Sequence, residues 1–330
     1  MQTSVVVCTH NGEAFLREQL DSILRQTRPP SEIIISDDGS TDSSVSIIEA
    51  FATKAQAAGI ACQVVANVRA LGVTGNFESA CQRANGEVIF LADQDDVWHT
   101  DKVDRLLKVL AQNEVVLVSS NAEIIDAAGQ KTNETLFSRL RISPAELSLL
   151  RNGDLSNLIL YRTAFTGATF AFKKSLLKHA LPFDRKLVHD EWLVQVAWVV
   201  GEVRTVQESL MDYRLHASNT IGLDAPAVES IDDTFGARLG SHLQRIIGKL
   251  TPLVERFENS ADGVTNAKRL LLRRKQLELA LARGRYPKSL PRRLHAVFNN
   301  WKSKLYAVEP SPMRTAMLDI FRNPQAKSVS

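Results

Sequence analysis

The sequence predicts an α/β fold with a mainly parallel central sheet, followed by a basic, mostly helical extension. Three observations lead there. Short β-branched runs alternate with stretches of helical apolar spacing through the first half. Three of those runs end in polar clusters, "CTHNGE", "SDDGSTD" and "ADQDD", and ligands of such sheets sit at the carboxyl ends of the strands. The charge then reverses along the chain. Gly236–Ser330 holds 19 Lys and Arg against 6 Asp and Glu, a net +13, whereas the remainder carries 21 basic and 31 acidic residues.

The elements follow in order. "TSVVVC" (Thr3–Cys8) reads as a buried strand, and "THNGE" ends it. Phe15, Leu16, Leu20, Ile23 and Leu24 then recur at helical spacing. "EIIIS" (Glu32–Ser36) is a second strand, cut by "DDGSTD", where Asp42 or Ser43 caps a helix carrying Val45, Ile47, Ile48 and Phe51. "ACQVV" (Ala61–Val65) is a third strand. A helix on Phe77, Ala80, Cys81 and Ala84 leads to a fourth, "EVIFLA" (Glu87–Ala92). A helix over Asp101–Ala111 precedes a fifth, "EVVLVSS" (Glu114–Ser120). Lys131–Phe165 reads as loops and a helix, and "GATFAF" (Gly167–Phe172) as a strand. Asp190–Val200 is helical, followed by strands at "EVRTVQ" and "LMDYRLH". Helices over Leu239–Phe257 and Ala267–Ala282 belong to the extension. The expected division is 1–222 and 223–330.

With 330 residues, 44% hydrophobic and 23% charged, the chain reads as an ordinary globular protein. The N-terminal stretch lacks a basic region and a long apolar core, so no secretory leader is expected. No run approaches the roughly 18 apolar residues of a membrane span. Cys8, Cys62 and Cys81 form no metal or redox spacing, and a reducing cytoplasmic setting is the expectation. No GxGxxG follows the first strand, and neither GxxxxGK[ST] nor GxSxG occurs.

Asp93, Asp95 and Asp96 crowd the end of the fourth strand. At about 5 Å and an effective dielectric of about 20, each pair repels by roughly 3 kcal/mol. A solvated loop capping the next helix tolerates this, and so does a site for a hard cation such as Mg²⁺ or Mn²⁺. Asp37 and Asp38 offer either turn chemistry or acceptors for a ring N–H or a ribose hydroxyl. "HDE" (His189–Glu191) is either a helix N-terminus favoured by the macrodipole or the seat of a general base. Arg214 and His216, two apart on a strand, can face one diphosphate or metal.

The motif order is "SVVVCTHNGEAFLREQLDSILRQT", "EIIISDDGSTDSS", "GNFESACQRANGEVIFLADQDDVW", "HDEWL" and "YRLHASNTIG". It resembles the inverting glycosyltransferases of family 2 with the GT-A fold, and within them the bacterial rhamnosyltransferase-like branch that builds surface polysaccharide. The resemblance runs from about Thr3 to Gly222 and implies the following roles. Thr9, Asn11 and Glu13 meet the nucleoside. Asp37, with Asp38 beside it, recognises the pyrimidine. Asp93-Gln94-Asp95 is the DXD motif, extended by Asp96, with Asp93 near the ribose and Asp95 on the metal; Trp98 packs beneath the donor. Gly167 lets the sugar approach the backbone. Asp190 is the catalytic base, although many members read Glu-Asp where this chain reads His189-Asp190-Glu191, so Glu191 is the alternate. Arg214 and His216 belong to a segment that folds over the diphosphate, His216 as a further metal ligand.

The resemblance thus implies a UDP- or dTDP-sugar donor, a divalent metal (Mg²⁺ or Mn²⁺), and a lipid-linked glycan acceptor in a pathway such as O-antigen synthesis, with no nucleic-acid partner. Lys/Arg interleaved with aromatics from Arg285 to Tyr306 read either as a contact for an anionic membrane surface, hence a cytoplasmic enzyme peripheral on the inner face of the membrane, or as a helical bundle packed on the catalytic domain with a solvated basic face. The alternative is a catalytically inactive, sugar-nucleotide-binding or scaffold homologue in the same pathway.

Overall fold

The structure, a computed structural model, describes residues 1–162, 164–217, 235–259, 266–287 and 289–321, with no side chains given for 235–240. The chain divides into two compact units, Met1–Leu223 and Asp224–Ser330. The expected boundary at 222/223 and the "SNTIG" end of the last motif lie outside the described residues.

The first unit runs β1 (Thr3–Thr9), α1 (Leu16–Leu24), β2 (Glu32–Asp37), α2 (Ser44–Ala57), β3 (Ala61–Ala66), α3 (Gly72–Arg83), β4 (Val88–Ala92), β5 (Val97–Trp98), α4 (Lys102–Leu110), β6 (Val115–Ile125) and β7 (Lys131–Thr135). It continues with α5 (Leu136–Arg139), α6 (Pro144–Asn152), α7 (Leu158–Tyr161), β8 (Ala171–Lys173), α8 (Leu177–Ala180), α9 (His189–Val200) and β9 (Glu202–Arg214). The strands form one sheet in the order β3-β2-β1-β4-β8-β6-β9-β5, with β7 on β6. The first four strands are parallel, joined through α1, α2 and α3, and β8 enters antiparallel between β4 and β6.

Sequence and position agree closely here. β1 and β4 lie inside the sheet with helices over it, so every residue of "TSVVVCT" and "VIFLA" is buried. β3 is an edge strand and is largely exposed. Val5, Val7, Ile33, Ile35 and Phe90 share one core with Leu16, Leu20 and Ile23 of α1 and Val103, Leu106 and Leu110 of α4. Each such side chain contributes roughly 1.5–3 kcal/mol by burial.

Three segments differ from expectation. Lys131–Phe165, read as loops and a helix, holds the strand β7 and the helices α5, α6 and α7, the first paired with β6. The strands expected at "EVRTVQ" and "LMDYRLH" are one, β9, which runs parallel to β6 with register shifts near Ser120 and Asn121. Its second half also pairs antiparallel with the two-residue β5, Trp98 opposite Met211. The strand expected at Gly167–Phe172 begins instead as a 3-10 turn, Gly167–Thr169, and only Ala171–Lys173 joins the sheet.

The second unit holds α10 (Phe235–Glu258), α11 (Ala267–Gly284), α12 (Leu290–Lys302) and α13 (Pro312–Phe321). Leu279, Tyr286, Val297, Tyr306, Val308 and Ala316 form its core. Inside it, Arg283 Nε donates to Asp319 at 2.9 Å and Tyr306 Oη donates to the same carboxylate at 2.7 Å. The buried carboxylate is thus both charge-paired and hydrogen-bonded.

Candidate active site

The register of β1, β2 and β4 brings their three carboxyl-end clusters together. Thr9 lies opposite Asp37, and Val7 opposite Ala92, the residue before Asp93. Side chains then lace the clusters. Thr9 Oγ1 donates to Gln94 Oε1 at 2.7 Å, and the His10 N–H donates to the same oxygen at 2.8 Å. Gly12 has no room for a Cβ, which would run into Gln94 Oε1. Asn11 adopts φ of +50°, tolerable for asparagine, and its Oδ1 accepts from the Thr41 N–H at 2.8 Å. Glu13 Oε2 accepts from the Ser43 N–H at 3.0 Å.

The two adjacent aspartates separate by partner. Asp37 accepts from the N–H and hydroxyl of Ser40, closing its own turn. Asp38 accepts from Asn67 Nδ2 and from the Leu71 and Gly72 N–H groups at 2.8–2.9 Å, and so anchors the start of α3. Its side chain is fully engaged by protein donors.

The acidic loop 93–96 is held from behind. Arg214, 2% exposed, donates from Nε to the Asp95 carbonyl at 2.8 Å and from Nη2 to Glu18 Oε2 at 2.6 Å. Its backbone N–H reaches Asp96 Oδ1 at 3.2 Å, and its guanidinium lies 4.8 Å from the centre of the Phe15 ring. His216 Nε2 and Asp95 Oδ2 are 2.9 Å apart. The β5–β9 pairing delivers both residues: it sets Asp212 opposite Val97, so Arg214 and His216 fall beside the loop.

Lys102 answers the crowding of charge. It is fully buried in the first turn of α4, with Nζ donating to the Ala168 carbonyl at 2.7 Å and lying 4.0 Å above the Trp98 ring. Burial lowers its pKa to about 7, while Asp96 and Asp93 pull it upward. Burial pushes Asp93 up to about 7, with Asp95 and Asp190 adding to the rise and Lys102 opposing it. Burial also raises Asp96, whose Oδ2 has no hydrogen-bond partner. The sequence carried a signal for Lys102: it shares a helical stripe with Leu106 and Leu110, so its side chain points inward.

Asp190 stands in the first turn of α9 within electrostatic reach of Asp93. Its Oδ2 accepts from the Gly167 N–H at 3.1 Å and its Oδ1 from the Glu191 N–H at 2.6 Å. Burial lifts its pKa to about 6 against those two donors. Its neighbour His189 stacks on Phe77, ring centres 4.0 Å apart, and neither ring nitrogen has a partner. Burial holds His189 down at about 3, so the ring is neutral.

Gly167 sits against these residues. A Cβ there would meet His189 Nε2 at 2.6 Å and Asp190 Cβ at 3.3 Å. Gly167→Ala is therefore expected to displace the first turn of α9, destabilising the fold by roughly 1–3 kcal/mol and lowering turnover. Thermal unfolding beside steady-state kinetics checks this, and an unperturbed variant would show that the turn yields freely.

All twelve residues singled out for the site thus lie in the first unit, around the carboxyl edge of the sheet. Thr9, Asn11, Glu13, Asp37, Asp38, Asp93 and Asp95 come from the β1, β2 and β4 ends; Gly167, Asp190, Glu191, Arg214 and His216 arrive from later in the chain. Lys102, Glu18 and His189 join them without having been assigned roles from sequence.

Known proteins resemble this chain in sequence or in fold. A dTDP-rhamnosyl transferase, RfbG, of Shigella flexneri is 33% identical over 240 residues, covering 66% of this chain and 73% of its own. An uncharacterized glycosyltransferase of Nostoc sp. is 29% identical over 230 residues, 66% of each chain, and an uncharacterized Mycobacterium bovis protein matches over 59% of its length. The matches thus span two thirds or less of those last two relatives. Among solved structures, S. aureus TarS in complex with UDP-GlcNAc superposes with a TM-score of 0.59 at 16% identity, over 97% of this chain and 88% of that one. The mannosyltransferase PcManGT of Pyrobaculum calidifontis, in complex with GDP-Man and Mn²⁺, gives 0.52 at 19% identity, over 96% and 84%. These two likenesses concern the fold, which is GT-A. Residues 4–180 match the model for glycosyl transferase family 2, so the chain belongs to that family.

Proposed function

We propose that the protein is a metal-dependent, inverting glycosyltransferase that moves a sugar from a UDP- or dTDP-sugar to a hydroxyl of a lipid-linked glycan in surface polysaccharide synthesis. The observation that carries this reading is Asp190: a carboxylate with its pKa lifted to about 6, facing the acidic loop that ends β4. A base needs a pKa near working pH, and burial supplies it. The 33% identity to a dTDP-rhamnosyl transferase supports rhamnose as the sugar.

The donor lies over the carboxyl ends of β1, β2 and β4, against Thr9, Asn11, Glu13, Asp37 and Asp93. Asp38 and Arg214 act through the loops they tie. Asp190 takes the proton of the acceptor hydroxyl as its oxygen attacks the anomeric carbon. The bond from that carbon to the diphosphate breaks, the nucleoside diphosphate leaves, and one displacement inverts the centre.

The residues present fit a divalent cation. Asp95 Oδ2 and His216 Nε2, hydrogen-bonded to each other at 2.9 Å, are an oxygen and an imidazole donor that would hold a cation such as Mn²⁺ in place of that bond. Among the described residues no three His, Cys, Asp or Glu are grouped as a complete cage. That suits an ion held by one or two protein ligands plus substrate phosphates, as Mg²⁺ commonly is. When bound, the ion neutralises charge on the leaving diphosphate.

Thermal shift tests the donor class. With Mn²⁺ or Mg²⁺, a UDP- or dTDP-sugar at about 100 Kd is expected to add about 2.7 kcal/mol, roughly 5–10 °C. Asp95→Asn should remove the metal dependence of that shift. No shift with any pyrimidine nucleotide donor would overturn the assignment.

A further inference from the structure

We infer that the C-terminal unit docks on an anionic lipid bilayer through exposed apolar stripes on α12 and α13, lying in the interface without crossing it. On α12, Leu290 (44% exposed), Leu294 (44%), Phe298 (62%) and Trp301 (43%) are left uncovered. At about 100° per residue they fall within about 80° of arc, a single stripe. The inward face is a different one, built on Arg293 and Val297. The stripe is therefore surplus to the fold's own core. Exposed Arg292, His295 and Lys302 occupy the arc on its other side, and α12 contains no acidic residue.

α13 repeats the arrangement. It packs against α12 and buries Ala316 and Asp319. Met313, Met317 and Phe321, the last 77% exposed, fall within a second arc of about 80°. Arg314 is exposed at the border of that stripe. Two neighbouring helices thus each bury one face, leave an adjacent apolar face open, and border it with cations.

Exposed apolar surface of this extent marks an interaction site. The charge selects the occupant. A helix with Trp, Phe and Leu on one face and Lys and Arg beside it has the composition of interfacial helices, and basic side chains at a leaflet surface are drawn to anionic headgroups. A second copy of this unit would oppose like charge with like, since Gly236–Ser330 carries a net +13. No described helix is long and apolar enough to span a membrane, so the contact is a surface one.

Flotation of the full chain with vesicles, without any nucleotide-sugar, tests this independently of the catalytic reading. The protein is expected to float with phosphatidylcholine vesicles containing phosphatidylglycerol and not with phosphatidylcholine alone, and added salt should weaken binding. Phe298→Ser combined with Trp301→Ser should lower partitioning by about tenfold or more. Arg292→Gln combined with Lys302→Gln should lower it by about tenfold. Circular dichroism should stay unchanged; Trp301→Ser also gives up a ring contact with Tyr306, so Phe298→Ser alone, at a residue 62% exposed, is the variant expected to keep the wild-type thermal midpoint while still binding vesicles less. Absence of anionic-vesicle binding, or equal binding by the Phe298/Trp301 variant, would overturn the proposal. So would self-association by light scattering that this variant abolishes while the wild type binds no vesicle, which would assign the stripes to a second copy.

Discussion

Replacing Asp190 with asparagine is expected to slow sugar transfer by about 10²–10⁴ while leaving nucleotide-sugar binding intact. Asparagine keeps one acceptor oxygen, enough for the Gly167 N–H, and gives up the bond from the Glu191 N–H, a local loss of about 1 kcal/mol at the first turn of α9. What disappears is the proton acceptor. Because burial sets the Asp190 pKa at about 6, wild-type kcat/KM should fall about tenfold per pH unit below that point and level off above it. Asp190→Asn should lose this acid limb along with its rate. Glu191→Gln, by contrast, should retain most of the activity. If Glu191→Gln is the dead variant and Asp190→Asn the active one, the base moves one residue along α9. If both transfer sugar at the wild-type rate, neither carboxylate is the base. Donor-dependent thermal shift in an Asp190→Asn protein that transfers nothing would separate lost chemistry from lost binding.

The same shift has a consequence for stability. The folded-state pKa lies above the ordinary carboxylate value, so the folded protein binds the proton more tightly than the unfolded chain. Stability from this group is therefore present at low pH and is lost as pH rises from about 4 through about 6. Above that window Asp190→Asn is relieved of the buried charge and gives up the Glu191 hydrogen bond, so its thermal midpoint should stay close to that of the wild type. A residue whose removal kills activity without harming the fold is serving the reaction.

Much of this was legible in the sequence because strands and their ends advertise themselves. "TSVVVC", "EIIIS" and "EVIFLA" read as buried strands, and each ends in polar residues that by themselves fit either turn chemistry or a ligand site. Their parallel register then had to bring "CTHNGE", "SDDGSTD" and "ADQDD" together, as the structure shows. The later half was harder to read for physical reasons. β5 is two residues long and exists only because β9 pairs with it, so no local pattern reports it. β9 reads as two strands because its ladder with β6 slips near Ser120 and Asn121. Gly167 begins a tight turn because its N–H is taken by Asp190, 23 residues away, a partner that no local propensity encodes. The side chains of Asp38 and Arg214 look like ligand binders by type. Only the fold reveals that their polar atoms tie α3 and the acidic loop in place.

Lys102→Met carries the second large expectation, and its sign depends on pH. The wild-type side chain is a buried cation placed to offset Asp93 and Asp96. Asp95, Asp190, Tyr213 and Cys8 are the other titratable groups that interact electrostatically with those two carboxylates. Methionine fills a similar volume, so packing changes little. At pH 8, above its own value of about 7, the lysine has largely given up its proton, so the variant forfeits mainly the hydrogen bond to the Ala168 carbonyl. Losing that bond costs about 1 kcal/mol, which is roughly 2–4 °C in thermal midpoint for a unit of this size. At pH 5, below the Asp93 value of about 7, that carboxyl is already protonated and the lysine is merely an ammonium held out of water. There the variant should match or exceed the wild type. The lysine acts in the opposite sense to Asp93. With a folded pKa near 7 against an ordinary value of 10.5, it withholds a proton that the unfolded chain would bind, so its contribution rises with pH between those values. Asp93 contributes less as pH climbs from 3.8 to about 7. The wild type should therefore show a shallow stability minimum near pH 7 from this pair, and Lys102→Met should show only the descending limb. Thermal unfolding at pH 5 and pH 8 decides the matter. An equal loss at both would make the hydrogen bond to Ala168 the whole role of Lys102, and the repulsion at the end of β4 would need another counterion.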